Sequence, residues 1–106
     1  HALEVALAED GVDAVEKMRD VVPDLVLMDI EMPRMDGYEL LTHIRADARL
    51  RHVPVVMITS RAGQKHRKKA REAGANDYLT KPYQEVDLVE KVSELLDLPL
   101  VPGRQD

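Results

Sequence analysis

The sequence predicts a doubly wound α/β fold built on a parallel sheet, and two observations carry this prediction. Segments with strand character alternate along the 106 residues with segments whose apolar residues recur at helical spacing. Strict alternation indicates parallel strands joined by right-handed crossovers, with helices on both faces of the sheet. In addition, Asp29, Thr59 and Lys81 each lie at or just after the end of a strand-like segment. Open α/β sheets place their reactive groups at such strand ends.

Four segments are predicted to form strands because they carry apolar runs bounded by turn or polar residues. They are residues 3–8, 25–29, 53–58 and 76–80. The run from Leu25 to Met28 is continuous, which is typical of a strand buried on both faces. Pro33, four residues after Asp29, prevents this strand from simply continuing.

A helix is predicted after each strand, over residues 12–20, 36–46, 64–73 and 84–96. Asp10 and Asp36 are the expected N-cap residues of the first two helices, and Asp36 with Glu39 forms a capping-box pattern. Gly74 is the natural stop signal of the third helix, whose apolar side is slim. The last helix is expected to bury Leu88, Val89, Val92, Leu95 and Leu96.

The length allows one domain, which we assign to residues 1–97. Residues 98–106 contain Pro99, Pro102 and Gly103, cannot continue a helix, and are interpreted as a tail or linker. The chain begins with His1 and enters a strand pattern almost at once, so we expect it to be a piece of something longer.

Composition excludes several classes of protein. The absence of cysteine excludes disulfides, thiol nucleophiles and thiolate metal sites, and it fits a cytoplasmic location. A net charge of −5 argues against a general nucleic-acid binder. The longest aliphatic run, residues 55–58, is far too short to span a membrane. A metalloenzyme is disfavoured because no metal-ligand spacing links the four histidines, His1, His43, His52 and His66.

A carboxylate, a hydroxyl and an ammonium group on one edge of a sheet form a phosphoryl-handling set. The Asp29 carboxylate can act as a nucleophile that forms an acyl phosphate. The Thr59 hydroxyl can donate to a phosphoryl oxygen, and the Lys81 ammonium can neutralise the added charge. An anionic nucleophile approaching an anionic phosphoryl group calls for a divalent cation, and Mg²⁺ suits such oxygen ligands.

Each of these residues also has a plainer interpretation when taken alone. Asp29 could merely mark where its strand reaches the surface, and Lys81 could be a solvated lysine at a strand end. Thr59 could be a turn hydroxyl, and Tyr78 a half-buried strand aromatic with its hydroxyl in water. Only the joint pattern favours a site.

Three stretches carry a resemblance to a known family. They are Asp29 with Met32-Pro33 and Met35-Asp36-Gly37, then Pro-Val-Val-Met-Ile-Thr-Ser at 54–60, and Ala-Gly-Ala-Asn-Asp-Tyr-Leu-Thr-Lys-Pro-Tyr at 73–83. Together they make the chain resemble the receiver domain of bacterial two-component response regulators, from that family's second strand to its end. The stretches at 59–67 and 81–85 are similar to receivers at the end of large chemotaxis-type hybrid histidine kinases.

The resemblance implies a flavodoxin-like fold with strand order 2-1-3-4-5, of which the first strand and helix are absent from this chain. That strand would lie between those beginning at Leu3 and Leu25, and its absence is expected to open unpaired edges. It would also carry an acidic pair; Glu9 and Asp10 follow a different strand and are not assigned that role. We expect the biological domain to have this unit upstream. Without it we expect weak Mg²⁺ binding, poor phosphorylation and a tendency to associate, for which a homodimer is one form.

The resemblance implies a role for each residue at the predicted edge. Asp29 would take a phosphoryl group from a phosphohistidine, on a histidine kinase or a histidine phosphotransfer domain. Thr59 would bind that group and move toward it, Lys81 would pair with it, and Tyr78 would turn inward as the aromatic switch. The domain would catalyse its own phosphorylation and dephosphorylation and no reaction on an external substrate, so we do not classify it as an enzyme.

The resemblance also concerns the metal and the backbone. The ligands of Mg²⁺ in this chain would be the Asp29 carboxylate and the backbone carbonyl of Glu31, with the remaining acidic ligands outside the chain. The Lys81–Pro82 peptide bond would be cis. Glu31 and Arg61 would flank the path of the hydrolytic water, and an ion pair between them could slow hydrolysis.

The helix over residues 64–73 is the candidate readout element, since few apolar residues anchor it. Its surface is basic, through Lys65, Arg67, Lys68, Lys69 and Arg71. This surface could be a solvated helix face, or it could bind an acidic protein partner; nucleic acid fits less well with the net charge of −5.

Two other functions remain open at this point. One is a phosphatase of the haloacid-dehalogenase type, which wants a second aspartate two residues after the nucleophile, where this chain has Glu31. The other is an interaction module that keeps the receiver fold and is not phosphorylated.

Overall fold

The computed structural model describes residues 4–61 and 63–97, which form four strands alternating with four helices. The strands are β1 (Val5–Ala8), β2 (Leu25–Asp29), β3 (Val55–Thr59) and β4 (Asp77–Thr80). The helices are α1 (Gly11–Asp20), α2 (Gly37–Ala46), α3 (Gln64–Ala73) and α4 (Glu85–Leu95). The predicted alternation is therefore confirmed. The predicted tail at 98–106 lies outside the described residues.

All four described strands are parallel and lie in the order β1-β2-β3-β4. Val5 is aligned with Leu25, Val26 with Val55, and Val56 with Asp77. This register sets the carboxyl ends of the strands side by side along one edge of the sheet. The predicted α/β class is confirmed.

The pairing of β1 corrects one expectation. The implied order 2-1-3-4-5, with its first strand absent, would leave a gap between β1 and β2, but β1 pairs directly with β2 along its whole length. The reason is that β2 is buried and its backbone N–H and C=O groups need partners. Any extended segment can supply those hydrogen bonds, since they do not depend on side-chain identity. The strand β1 is therefore one of the two edge strands of the described sheet, and its Val5 and Leu7 side chains are exposed.

Helices cover both faces of the sheet, as predicted. One face packs against α1, α2 and α3 in a core that includes Met28, Leu40, Leu41, Ile44 and Met57. The other packs α4 against Leu25, Leu27, Val56, Ile58 and Leu79. Leu88, Val92 and Leu95 of α4, with its C-cap Leu96, pack against this cluster and are partly buried, so the sequence prediction that they face the core is confirmed in direction but no residue of α4 is fully buried.

Val89 does not join the partly buried side of α4, so the prediction that it is buried is wrong; it is 36% exposed. The inward stripe of α4 follows residues 88, 92, 95 and 96, and Val89 lies about 100° around the helix from Leu88.

None of the helices in the described part of the chain is long and apolar enough to cross a membrane.

The predicted helix caps are present. The Asp10 side chain accepts hydrogen bonds from the backbone N–H groups of Val12 and Asp13 at the start of α1. Asp36 and Glu39 form the reciprocal capping box of α2. Gly74 ends α3 in a left-handed conformation with φ of 114°, which favours glycine. These local signals set where the helices begin and end.

Arg45, near the end of α2, bonds the segments that lead into β3 and β4. These segments lie at the amino-terminal ends of the strands, opposite the predicted site. The Arg45 guanidinium donates five hydrogen bonds of 2.7–3.0 Å: two to the carbonyl of Gly74, one each to those of Arg51 and Val53, and one to the Asn76 side chain. Burial lowers the pKa of Arg45. Since the group has five N–H donors, every one is used, and the starts of β3 and β4 are tied to α2.

We predict that Arg45→Lys lowers the free energy of unfolding by about 1–3 kcal/mol, because a lysine keeps the charge but leaves several carbonyls without a donor. Urea denaturation followed by circular dichroism measures this. Arg51→Lys is the matched control, since the Arg51 side chain is exposed and should change stability by less than about 0.5 kcal/mol. Equal effects of the two substitutions would contradict the role given to Arg45.

Candidate functional site

The three residues predicted to share one edge are brought together by the sheet. Asp29 ends β2 and is aligned with Ile58 of β3, while Thr59 ends β3 and is aligned with Thr80 of β4. Lys81 follows Thr80 directly. Residues separated by thirty and twenty-two positions in sequence therefore lie on neighbouring strand ends.

Asp29 and Lys81 are in direct contact. The Lys81 Nζ donates to Asp29 Oδ2, and the other carboxylate oxygen accepts the backbone N–H of Glu31 at 3.1 Å. The hydrogen bond to Asp29 raises the pKa of Lys81, so the lysine is charged at neutral pH. Both side chains stay accessible, at 27% for Asp29 and 46% for Lys81. The Lys81–Pro82 peptide bond is cis, as the resemblance implies.

Thr59 and Tyr78 are linked through the backbone of Arg61. Thr59 is fully buried, and its Oγ1 accepts the Arg61 N–H at 3.2 Å. The Tyr78 hydroxyl donates to the Arg61 carbonyl at 2.6 Å, with the ring 4% exposed. Tyr78 is thus already turned inward in this structure. Burial raises the pKa of the Tyr78 phenol, and Arg67 lies 5.4 Å from its ring centre.

The backbone of Arg61 is the part of this arrangement that sequence reasoning missed. The sequence predicts a role only for the Arg61 side chain, as a partner of Glu31. Its position two residues after a threonine is a weak signal for the observed bond, since threonine hydroxyls often bond the backbone two residues on. No sequence pattern predicts the hydrogen bond between the Arg61 carbonyl and the hydroxyl of Tyr78, which lies seventeen residues further along the chain.

The considered ion pair between Glu31 and Arg61 is present, with 3.2 Å between Oε2 and Nε. It joins the loop after β2 to the loop after β3. Both side chains are more than half exposed, so the pair contributes little to stability.

The described residues supply only part of a divalent-cation site. No three histidine, aspartate or glutamate side chains in residues 4–61 and 63–97 are grouped closely enough to hold a metal ion. Although β1 lies next to β2, Asp10 caps α1 and accepts a hydrogen bond from Arg34 at 2.9 Å, which lowers the pKa of Asp10. Two candidate ligands remain, the Asp29 carboxylate and the Glu31 carbonyl. Magnesium often uses one or two carboxylates and keeps several waters, so this donor set fits a weak site.

Comparison with protein families identifies one match over most of the chain. The family model of the response regulator receiver domain matches residues 1–93. Among curated proteins, the response regulator PleD of Caulobacter vibrioides is 40% identical over 98 residues, which is 92% of this chain and 22% of that protein. Hybrid signal transduction histidine kinase D of Dictyostelium discoideum is 36% identical over 94 residues, 89% of this chain and 6% of that protein. The chain thus spans only a small part of these relatives.

Solved structures agree on the fold. A putative response regulator from Chloroflexus aurantiacus matches with a TM-score of 0.83 and 25% identity, covering 91% of this chain and 99% of that one. The receiver domain of sensor histidine kinase PA1611 from Pseudomonas aeruginosa, solved with a magnesium ion in its active site cleft, matches with a TM-score of 0.79 and 27% identity over 91% and 99% of the two chains. The flavodoxin-like receiver architecture is confirmed.

The environment of Tyr78 generates a pH prediction. A phenol whose pKa is raised on folding stabilises the folded state fully below its unfolded pKa of about 10, and this contribution is lost as the pH rises through the folded pKa. Tyr78→Phe removes the hydrogen bond to Arg61 and should cost about 0.5–1.5 kcal/mol at pH 8. Above pH 10 the difference between the two proteins should shrink.

Urea denaturation of both proteins at pH 8 and pH 11 measures this difference. Lys81 also has a raised pKa, but it is common to both proteins and its shift does not come from Tyr78, so its titration cancels. A difference that is the same at the two pH values would contradict a buried, neutral Tyr78.

Proposed function

The chain belongs to the response regulator receiver domain family, a signalling module of two-component systems, and on that premise we propose that Asp29 is its phosphoacceptor. The observation that carries the proposal is the contact between Asp29 and Lys81 at the sheet edge where Thr59 ends the neighbouring strand. We assign this function to residues 1–97 and interpret residues 98–106 as a tail or linker.

In the proposed reaction, a carboxylate oxygen of Asp29 attacks the phosphorus of a phosphohistidine. A P–O bond forms, the P–N bond breaks, and the imidazole leaves and takes a proton from solvent. The donor is a histidine kinase or a histidine phosphotransfer domain. Lys81 is already beside the carboxylate, so its charge offsets the negative charge that the phosphoryl group adds.

A Mg²⁺ ion bound beside Asp29 would supply further charge neutralisation for two anions that must approach one another. The Asp29 carboxylate and the Glu31 carbonyl are the ligands that we assign to it in this chain. Since no three acidic or histidine side chains cluster among the described residues, we expect weak Mg²⁺ binding and slow phosphorylation of the chain by itself.

The conformational readout is proposed to run through Thr59, Arg61 and Tyr78. If the Thr59 hydroxyl turns to donate to a phosphoryl oxygen, its bond with the Arg61 N–H changes. The carbonyl of the same residue holds Tyr78, so movement at Thr59 is transmitted to the buried ring. The following helix, α3, has only Ala70 buried, and shifting it should cost little. Its basic surface is the proposed contact for an acidic protein partner.

The ion pair of Glu31 and Arg61 is proposed to slow dephosphorylation. Both residues lie two positions after a site residue, and together they bridge the two loops that flank Asp29. A bridged pair restricts the space through which a water molecule reaches the phosphorus.

An interaction module that is not phosphorylated is the second candidate function. The incomplete metal-ligand set of the described residues favours it. It shares the fold and the α3 surface with the first candidate and differs only in the use of Asp29.

We predict a stable adduct on Asp29 when the chain is treated with acetyl phosphate or beryllofluoride in the presence of Mg²⁺. Intact-protein mass spectrometry follows the phosphorylated form, and 19F spectroscopy follows the beryllofluoride form. Asp29→Asn should abolish both, because the amide is a poor nucleophile, while Asp13→Asn, an exposed carboxylate on α1, should keep them. Because the Mg²⁺ site is expected to be weak, the reaction is run at rising Mg²⁺ concentrations and over long incubation; absence of any adduct at the highest concentration would favour the interaction module.

We predict that Arg61→Ala shortens the half-life of the acyl phosphate several-fold. The substitution removes the side chain that pairs with Glu31 and keeps the backbone N–H and C=O that hold Thr59 and Tyr78. Glu31→Gln breaks the same pair from the other side and should act in the same direction. Release of inorganic phosphate after removal of the donor gives the rate, and an unchanged half-life in both variants would contradict the proposed role.

A further inference from the structure

A cleft of about 660 Å³ lies between the loop after β2 and helix α3. We call it the α3 cleft and define its floor by Ile30, Met32, Tyr38 and Tyr78. Ile30 and Met32 are each 9% exposed and Tyr38 is half-buried, so the floor is apolar with some aromatic surface. The volume falls within the range of sites that take up small ligands or a few side chains.

One wall of the α3 cleft is a row of lysines. Lys65, Lys68 and Lys69 recur at three- and four-residue spacing, so they lie along one side of α3. Lys69 lies 4.6 Å from the centre of the Tyr38 ring. Within residues 4–61 and 63–97, no ion pair involves Lys65 or Lys68. Two ammonium groups beside an apolar floor are therefore available for a ligand.

The acidic residues that also line the α3 cleft are mostly engaged. Glu31 is paired with Arg61, and Asp36 accepts from the Glu39 N–H as the N-cap of α2. Glu72, on α3 itself, is the remaining acid in the lining. The α3 sequence carries five lysine and arginine residues against this one acid, although the whole chain has a net charge of −5. The positive charge is thus local to this helix.

We propose that the α3 cleft docks an acidic peptide segment of a partner protein, with apolar side chains on the floor and carboxylates on the lysine wall. An amphipathic segment in a groove is a common mode of peptide recognition, and opposite charge at the rim sets orientation and association rate. The weak anchoring of α3, through Ala70, allows the wall to adjust to its ligand. This rests on the partner proposed above for α3, but it does not require phosphorylation of Asp29.

A nucleic-acid ligand is disfavoured by the same observations. Phosphate backbones bind surfaces that are broadly positive, and this chain has a net charge of −5 with Glu31, Asp36 and Glu72 lining the cleft. The floor suits aliphatic anchors, since Ile30 and Met32 line it together with the rings of Tyr38 and Tyr78.

The test uses the full chain and two fluorescent twelve-residue peptides, followed by fluorescence anisotropy. Both carry the same six glutamates; one has leucines at helical spacing and the other has serines in their place. The leucine peptide should bind, and the serine peptide should bind at least about tenfold more weakly, since several buried side chains are lost. Lys65→Glu and Lys68→Glu should each weaken the leucine peptide about three- to tenfold.

Arg71→Glu is the matched control, because it makes the same charge change on the same helix outside the lining of the α3 cleft. It should change affinity by less than about twofold, as expected of a screened charge outside the contact. Circular dichroism confirms that each variant is folded. An Arg71→Glu effect as large as the lysine effects, equal binding of the two peptides, or no binding at all would overturn the proposal. Tighter binding of a single-stranded oligonucleotide than of the leucine peptide would also overturn it.

Asp29→Asn separates this inference from the proposed phosphoacceptor function. The variant should bind the leucine peptide with unchanged affinity while forming no acyl phosphate, since Asp29 does not line the α3 cleft. Loss of peptide binding in Asp29→Asn would contradict an independent cleft, and retained binding together with failed phosphorylation of the unmodified chain would count only against the phosphoacceptor role.

Discussion

The parallel pairing of the strands is the constraint on which the rest of this structure depends. Because every strand runs in the same direction, each one delivers its last residue to the same edge, and the register sets Thr59 beside Thr80 and Asp29 beside Ile58. Lys81 directly follows Thr80, the last residue of β4, and contacts Asp29. The opposite edge is held by Arg45, whose five hydrogen bonds tie the starts of β3 and β4 to α2.

The site at this edge is electrostatically paired before any ligand arrives. Lys81 donates to one oxygen of Asp29 and the Glu31 N–H donates to the other, so the carboxylate is held in a defined orientation. In the proposed reaction, the phosphoryl group would replace part of this pairing and would present its oxygens toward Thr59. Arg61 connects three residues of this region. Its backbone forms hydrogen bonds with Thr59 and Tyr78, and its side chain pairs with Glu31.

Helix α3 combines weak packing against the core with a high density of positive charge. A helix with a single buried alanine gains little from packing, so its position responds to small forces. Cation–π contacts of Arg67 with Tyr78 and of Lys69 with Tyr38 supplement that packing. Tyr78 belongs both to the linkage through Arg61 and to the floor of the α3 cleft. The proposed switch and the proposed docking surface therefore share one ring.

The sequence by itself determined the element types, the caps at Asp10, Asp36 and Gly74, and the meeting of Asp29, Thr59 and Lys81. These follow from local periodicity, side-chain chemistry and the rule that parallel strands end on one side. Only the tertiary structure decided that β1 pairs with β2, that Arg45 uses all five donors, and that the Arg61 backbone joins Thr59 to Tyr78. The physical reason is that backbone hydrogen bonds do not depend on side-chain identity. No local sequence pattern therefore predicts which group will pair with an edge strand or with a given carbonyl.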